Sequence, residues 1–213
     1  MEFNLIQQIA IWTLPVLFAI TLHEAAHAYA AKHFGDPTAF LMGRMTLNPL
    51  KHIDPIGTIL LPLLCLLLPG GFLFGWAKPV PVNFGGLRNP RANGRWVAAA
   101  GPLANLAMAI GWVLMLRLAL SLEGNYFQAP LYYMAQAGIN INVVLMVLNL
   151  LPIPPLDGGR ILVFSLPRDA ALAVSRIEPY GMIILVVLLA TGVLGGIMQP
   201  LMGLVTGFLS LFV

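Results

Sequence analysis

In a chain of 213 residues, 59% are hydrophobic and only 9% charged, where a soluble domain carries roughly 25% charged residues; together with a mean hydropathy of +0.88, this excludes an ordinary water-soluble globule and places the chain in a lipid bilayer. The formal net charge of +3 is too small to argue for nucleic acid, so no nucleic-acid partner is expected. The single cysteine, Cys65, excludes an intramolecular disulfide and a cysteine-rich metal site.

Residues 5–31 form the first stretch apolar enough to enter lipid, a span needing about 20 residues. It has no basic segment ahead of it and carries chemistry, so it is read as retained rather than as a cleaved signal. Inside it stands His23-Glu24-Ala25-Ala26-His27. On a helix, residues i and i+4 share a face, so the two imidazoles can converge on one metal ion. Glu24 lies at i, i+3 from His27, within reach of a water that the metal activates. Ionisable side chains are expensive at membrane depth and are expected there only where they serve a site.

The second stretch, 56–74, has Pro62 in its middle and ends at Pro69-Gly70-Gly71, breaks tolerated in membranes where protein or water covers the backbone. We read it as re-entrant. The loop 75–95 that follows is too short for a further folded module. The third stretch, 96–121, contains Gly101-Pro102-Leu103-Ala104-Asn105, where Pro suits a first helical turn, Gly permits close packing and Asn105 offers a hydrogen bond. The fourth, 131–152, carries Asn142 and Asn149 seven residues apart on one face, and breaks at Pro152, Pro154 and Pro155 before Asp157-Gly158-Gly159. Asn105 and Asn142 are candidates for packing or substrate contact. A fifth stretch, 179–198, is followed by a turn at 199–200 and a partial element, 200–213.

With 56–74 re-entrant, ten of the eleven basic residues fall on one side of the membrane, leaving only Arg117 on the other; the positive-inside rule favours that arrangement. Parity agrees. For Asp157 to meet His23 and His27, the first and fourth stretches must run parallel, and one crossing, 96–121, then lies between them. The expected fold class is an all-α polytopic membrane protein. It has about four full transmembrane helices, a re-entrant segment and a partial C-terminal element. The whole chain, 1–213, is read as one transmembrane domain, with a catalytic core at about 5–165 and membrane elements at about 179–213.

A catalytic zinc takes three protein ligands and keeps one position open. His33 completes the spacing of a metzincin motif, but that motif needs a Gly where Ala30 stands, and a continuing helix puts His33 roughly 120° from His27. No Glu occurs between Glu24 and Glu123 to serve as a downstream ligand. Asp36, in Gly35-Asp36-Pro37-Thr38, reads as a turn residue, and His52 as a loop residue. Asp54 is a weaker rival. Asp157 is best placed, freed by the proline break to turn inward. Asn149, just before that break, is positioned to donate to a developing oxyanion.

His23-Glu24-Ala25-Ala26-His27 together with Asn149-Leu150-Leu151-Pro152-Ile153-Pro154-Pro155-Leu156-Asp157-Gly158 resembles the signature pair of the site-2 protease family of intramembrane zinc metallopeptidases. Gly101-Pro102-x-x-Asn105 resembles a further element of that family, and Gly75-Trp76-Ala77-Lys78-Pro79-Val80-Pro81-Val82 one seen in its compact branch lacking a PDZ domain. The likeness covers roughly residues 15–165. It implies one Zn2+ ion held by His23, His27 and Asp157, Glu24 as base, and cleavage of a transmembrane protein or peptide substrate near the cytosolic leaflet. The compactness of the chain points to a prokaryotic cell membrane. The competing reading is a membrane zinc transporter using the same histidines; such permeases carry an acidic residue after the second His, where this chain has Ala28.

Overall fold

The computed structural model describes residues 3–60 and 75–212. The segment 61–74, and with it most of the expected re-entrant stretch, lies outside the described residues. Among the described residues the chain is helical without strands, and five helical segments are long and apolar enough to cross a membrane: Ile6–His33, Pro90–Ser121, Gln128–Leu150, Arg168–Ala190 and Val193–Ser210.

Helix α1 (Leu5–His33) starts at a reciprocal cap in which Asn4 Oδ1 accepts from Gln7 N–H and Gln7 Oε1 accepts from Asn4 N–H. This satisfies two of the donors that every helix start leaves open. At about 1.5 Å per residue its 29 residues exceed the roughly 30 Å of a hydrocarbon core. A turn at Gly35, whose φ of 113° only glycine adopts without strain, leads into the short α2 (Thr38–Leu41). Helix α3 (Pro90–Ser121) begins six residues earlier than expected, because Asn89 caps it by accepting from Ala92 N–H and Pro90 fits its first turn. Helix α4 (Gln128–Leu150) follows, then three short helices: α5 (Asp157–Ser165), α6 (Arg168–Ser175) and α7 (Gly181–Ala190). The last helix is α8 (Val193–Leu209).

The C-terminal break falls elsewhere than the sequence suggests. It lies at Thr191-Gly192, where Gly192 takes φ 76°, while Pro200 stands inside α8 instead of ending a helix. A left-handed glycine terminates a helix more decisively than a proline, which a membrane helix accommodates. The element expected to be partial is therefore a helix of 17 residues.

Helix α3 is the centre of the bundle and packs against α1, α4 and α5. Ala109 and Val113 of α3 meet Val143 and Val147 of α4 in a core that Leu209, Met198 and Met202 of α8 close. Close approach is built in: a Cβ on Gly138 would lie 2.2 Å from Trp112 Cδ2, so the glycine admits the indole between α3 and α4. Near the other end, Ala31 of α1, Val97 of α3 and Leu87 form a second cluster.

Candidate metal centre

His23 and His27 lie one turn apart on the face of α1 that packs on α3. The facing stripe of α3 is Val97, Gly101 and Asn105, again at four-residue spacing. Each member has one task. Asn105 Oδ1 lies 2.6 Å from His23 Nδ1, and the Val97 carbonyl lies 2.8 Å from His27 Nδ1. Gly101 leaves room between them, since a Cβ there would stand 2.4 Å from His27 Nε2 and 2.6 Å from His23 Nε2.

The orientation of Asn105 follows from its other bonds. Asn142 Nδ2 donates to Gly138 O over 2.8 Å, so Asn142 Oδ1 is free to accept from Asn105 Nδ2 over 2.9 Å. Asn105 Nδ2 also donates to Ala19 O over 3.3 Å. Its Oδ1 must therefore face His23 and accept, which places the His23 proton on Nδ1 and leaves the Nε2 lone pair facing inward. The Val97 carbonyl, an obligate acceptor, sets His27 the same way. Asn105 and Asn142 are fully buried.

Asp157 is the first residue of α5. The chain doubles back there because Gly158 and Gly159 allow it: a Cβ on Gly158 would lie 2.3 Å from Leu150 O, and one on Gly159 2.3 Å from Pro154 N. The fold-back brings Asp157 Oδ2 to 3.3 Å from both His23 Nε2 and His27 Nε2, which are themselves 3.1 Å apart. Asp157 Oδ2 is buried and has no hydrogen-bond partner.

Three inward-facing acceptors with no proton of their own to share call for a cation at their centre. The triangle has the right size. Tetrahedral zinc with ligand bonds of about 2.0–2.1 Å has ligand–ligand edges of roughly 3.3–3.4 Å. His23, His27 and Asp157 are the one group of three metal-ligating side chains found among the described residues.

Glu24 lies on the same turn of α1, half-buried, with Oε2 accepting from Val80 N–H over 2.7 Å. Asn149 is half-buried and its Nδ2 donates to Leu145 O within its own helix, over 2.9 Å; it makes no hydrogen bond to the three ligand residues. Asp54 caps the turn that follows it, its Oδ1 accepting from Ile56 N–H and Gly57 N–H. Asp36 is buried in its turn and accepts from Thr38 and Asn83 N–H. His33 is exposed at the end of α1, and His52, though in a short loop turn, is buried with Nε2 on Thr46 O. None of these four joins the group.

Sequence reasoning placed Asn105 and Asn142 as packing or substrate-contact candidates and missed what they hold. The signal was present: Val97, Gly101 and Asn105 repeat the spacing of Ala19, His23 and His27, so the two stripes can lie face to face. The contact from Val80 had no signal, since a backbone donor can come from any residue.

A bundle of membrane-length helices that brings a His-Glu-x-x-His pair and an Asp onto one ion-sized triangle has the donor set of a metallopeptidase site. Comparison with known proteins agrees. The model of peptidase family M50 matches residues 119–191. "Putative zinc metalloprotease YwhC" of Bacillus subtilis is 41% identical over 192 residues, covering 89% of this chain and 84% of that protein. "Putative zinc metalloprotease Rip2" of Mycolicibacterium smegmatis is 36% identical over 179 residues, and the chain spans 64% of its length. The chain belongs to peptidase family M50, the site-2 protease family. No solved structure matches it.

Proposed function

We propose that the chain is an intramembrane zinc endopeptidase that hydrolyses peptide bonds within or near transmembrane helices of other proteins. The observation that carries this reading is the triangle of His23 Nε2, His27 Nε2 and Asp157 Oδ2, with edges of 3.1 and 3.3 Å, adjoining Glu24 on the same helical turn. His23, His27 and Asp157 hold one Zn2+. Bound there, zinc polarises the scissile carbonyl and lowers the pKa of a coordinated water toward neutrality.

Glu24 accepts the proton of the attacking water and hands it to the leaving amine, a transfer worth about 10²–10⁴-fold in rate. Asn105 and the Val97 carbonyl hold the two rings in the tautomer that ligation requires. Asn149 keeps one amide N–H beyond its bond to Leu145 O, and this donates to the oxyanion that develops on the carbonyl. No covalent intermediate with the protein is needed. The basic residues of 32–55 and 158–176 mark the cytosolic side, from which water reaches the site. The substrate helix must unwind locally, because a helical peptide bond is shielded by its own hydrogen bonds.

The test is Glu24→Gln in detergent-purified protein with a transmembrane peptide as substrate. Zinc content stays at one per chain and cleavage falls at least about a hundredfold. Cleavage at the wild-type rate removes Glu24 as the base, and zinc uptake into proteoliposomes without peptide cleavage would replace the protease reading with transport.

A further inference from the structure

From Gly75 to Asn83 the chain forms neither helix nor strand, and Val80 and Val82 lie against α1. Alternate residues of this segment donate their N–H groups to neighbouring elements. Here Trp76 N–H reaches Gly57 O at 3.0 Å, Lys78 N–H reaches His52 O at 2.9 Å, and Val80 N–H reaches Glu24 Oε2 at 2.7 Å. The first two bonds join backbone to backbone. The third ends on a carboxylate.

Val80 is flanked by Pro79 and Pro81, neither of which has an N–H. It thus supplies the sole donor of that tripeptide, and the rings fix φ on either side so that the direction of the donor is preset. The segment is pinned as well. Arg44 Nη2 donates to Lys78 O over 2.9 Å and to Pro79 O over 3.3 Å. Val80 itself is buried against Ala28 of α1 and Ala39 of α2, with Met45 beside it. A backbone donor held by side-chain packing, two prolines and a guanidinium is far more rigid than the three-torsion side chain it meets.

We propose that the Val80 backbone amide is the positioning donor for Glu24: it fixes Oε2 and thereby presents Oε1 as the oxygen that takes up the proton. The assignment rests on Glu24 being the base. A charge-assisted bond of this kind is stronger than one between neutral groups and selects a single rotamer. The benefit is read in the rate of the chemical step, where the base acts.

Val80→Pro deletes the donor, whereas Val80→Ala and Val80→Ile keep it. The measurements are zinc content, KM and kcat for a transmembrane peptide. Val80→Pro is expected to keep zinc and KM and lose about ten- to hundredfold in kcat, while Val80→Ala and Val80→Ile stay within about threefold of wild type. Arg44→Ala, which loosens the segment without removing the donor, gives a smaller loss in kcat. On a Glu24→Asp background, whose shorter side chain no longer reaches Val80, Val80→Pro costs nothing more. Wild-type kcat in Val80→Pro overturns the proposal, as does a loss in Val80→Ala equal to that in Val80→Pro, or full additivity in the double variant. An inactive Glu24→Gln beside a fully active Val80→Pro sinks the positioning role and leaves the base in place; an active Glu24→Gln sinks the base itself.

Discussion

Gly101→Ala adds one methyl group, and the structure specifies where it goes. The new Cβ would stand 2.4 Å from His27 Nε2, 2.5 Å from His23 Cε1 and 2.6 Å from His23 Nε2. Ordinary contact begins near 3.5 Å, so at least one ring must retreat by about 1 Å. Metal–ligand distances tolerate about ±0.2 Å, which makes the displacement several times what the site absorbs. The rings are also tied from behind by Asn105 and Val97, so retreat breaks a buried hydrogen bond. Loss of such an outer bond alone costs about 10–100-fold in metal affinity, and ring displacement adds to it.

Fold stability moves little in the same variant. Alanine gains about 1 kcal/mol over glycine in a helix, against an overpacking cost of about 1–3 kcal/mol. The assay is zinc per chain after dialysis against a chelator, with helix content and the melting temperature followed by circular dichroism. Gly111→Ala is the control, since a Cβ there meets nothing within 4 Å on the same helix. Zinc falls to a small fraction in Gly101→Ala and stays at wild-type content in Gly111→Ala. Full, chelator-resistant zinc in a folded Gly101→Ala protein would refute the assignment of the space between the rings to a metal.

Asn105→Ala removes the acceptor that fixes the His23 tautomer and leaves Asn142 Oδ1 without its donor; competition with a fluorescent chelator should report a zinc affinity about 10–100-fold weaker. Gly138→Ala drives a Cβ to 2.2 Å from Trp112 Cδ2 and should cost about 1–3 kcal/mol of stability, read as a lower melting temperature in detergent.

The candidate metal centre was legible because its chemistry demands rare residues in a place that penalises them: two histidines and a glutamate inside an apolar run, and an aspartate after a proline break. The premise of the parity argument is met, since Asp157 does reach the end of α1 that holds His23 and His27; the re-entrant stretch on which its conclusion turns lies mostly outside the described residues. What stayed hidden depends on a partner helix and not on local residue type. Nothing at Gly101 by itself distinguishes a packing glycine from one that clears a metal site, and the Val97 carbonyl is invisible in any side-chain reading. The C-terminal boundary, expected at 199–200 where the apolar stretch 179–198 ends, lies instead at Gly192, since a membrane helix tolerates Pro200 and the left-handed glycine sets the break.

The amides of Asn105 and Asn142 have a bearing on how the molecule is made. They link α4, α3 and α1 in single file through Gly138, Asn142, Asn105 and His23. If α1 or α4 settles one turn too high or too low against α3, the bonds between helices in that file lose their partners at membrane depth. The relative height of the three helices is thus set by side-chain pairing as well as by hydrophobic length.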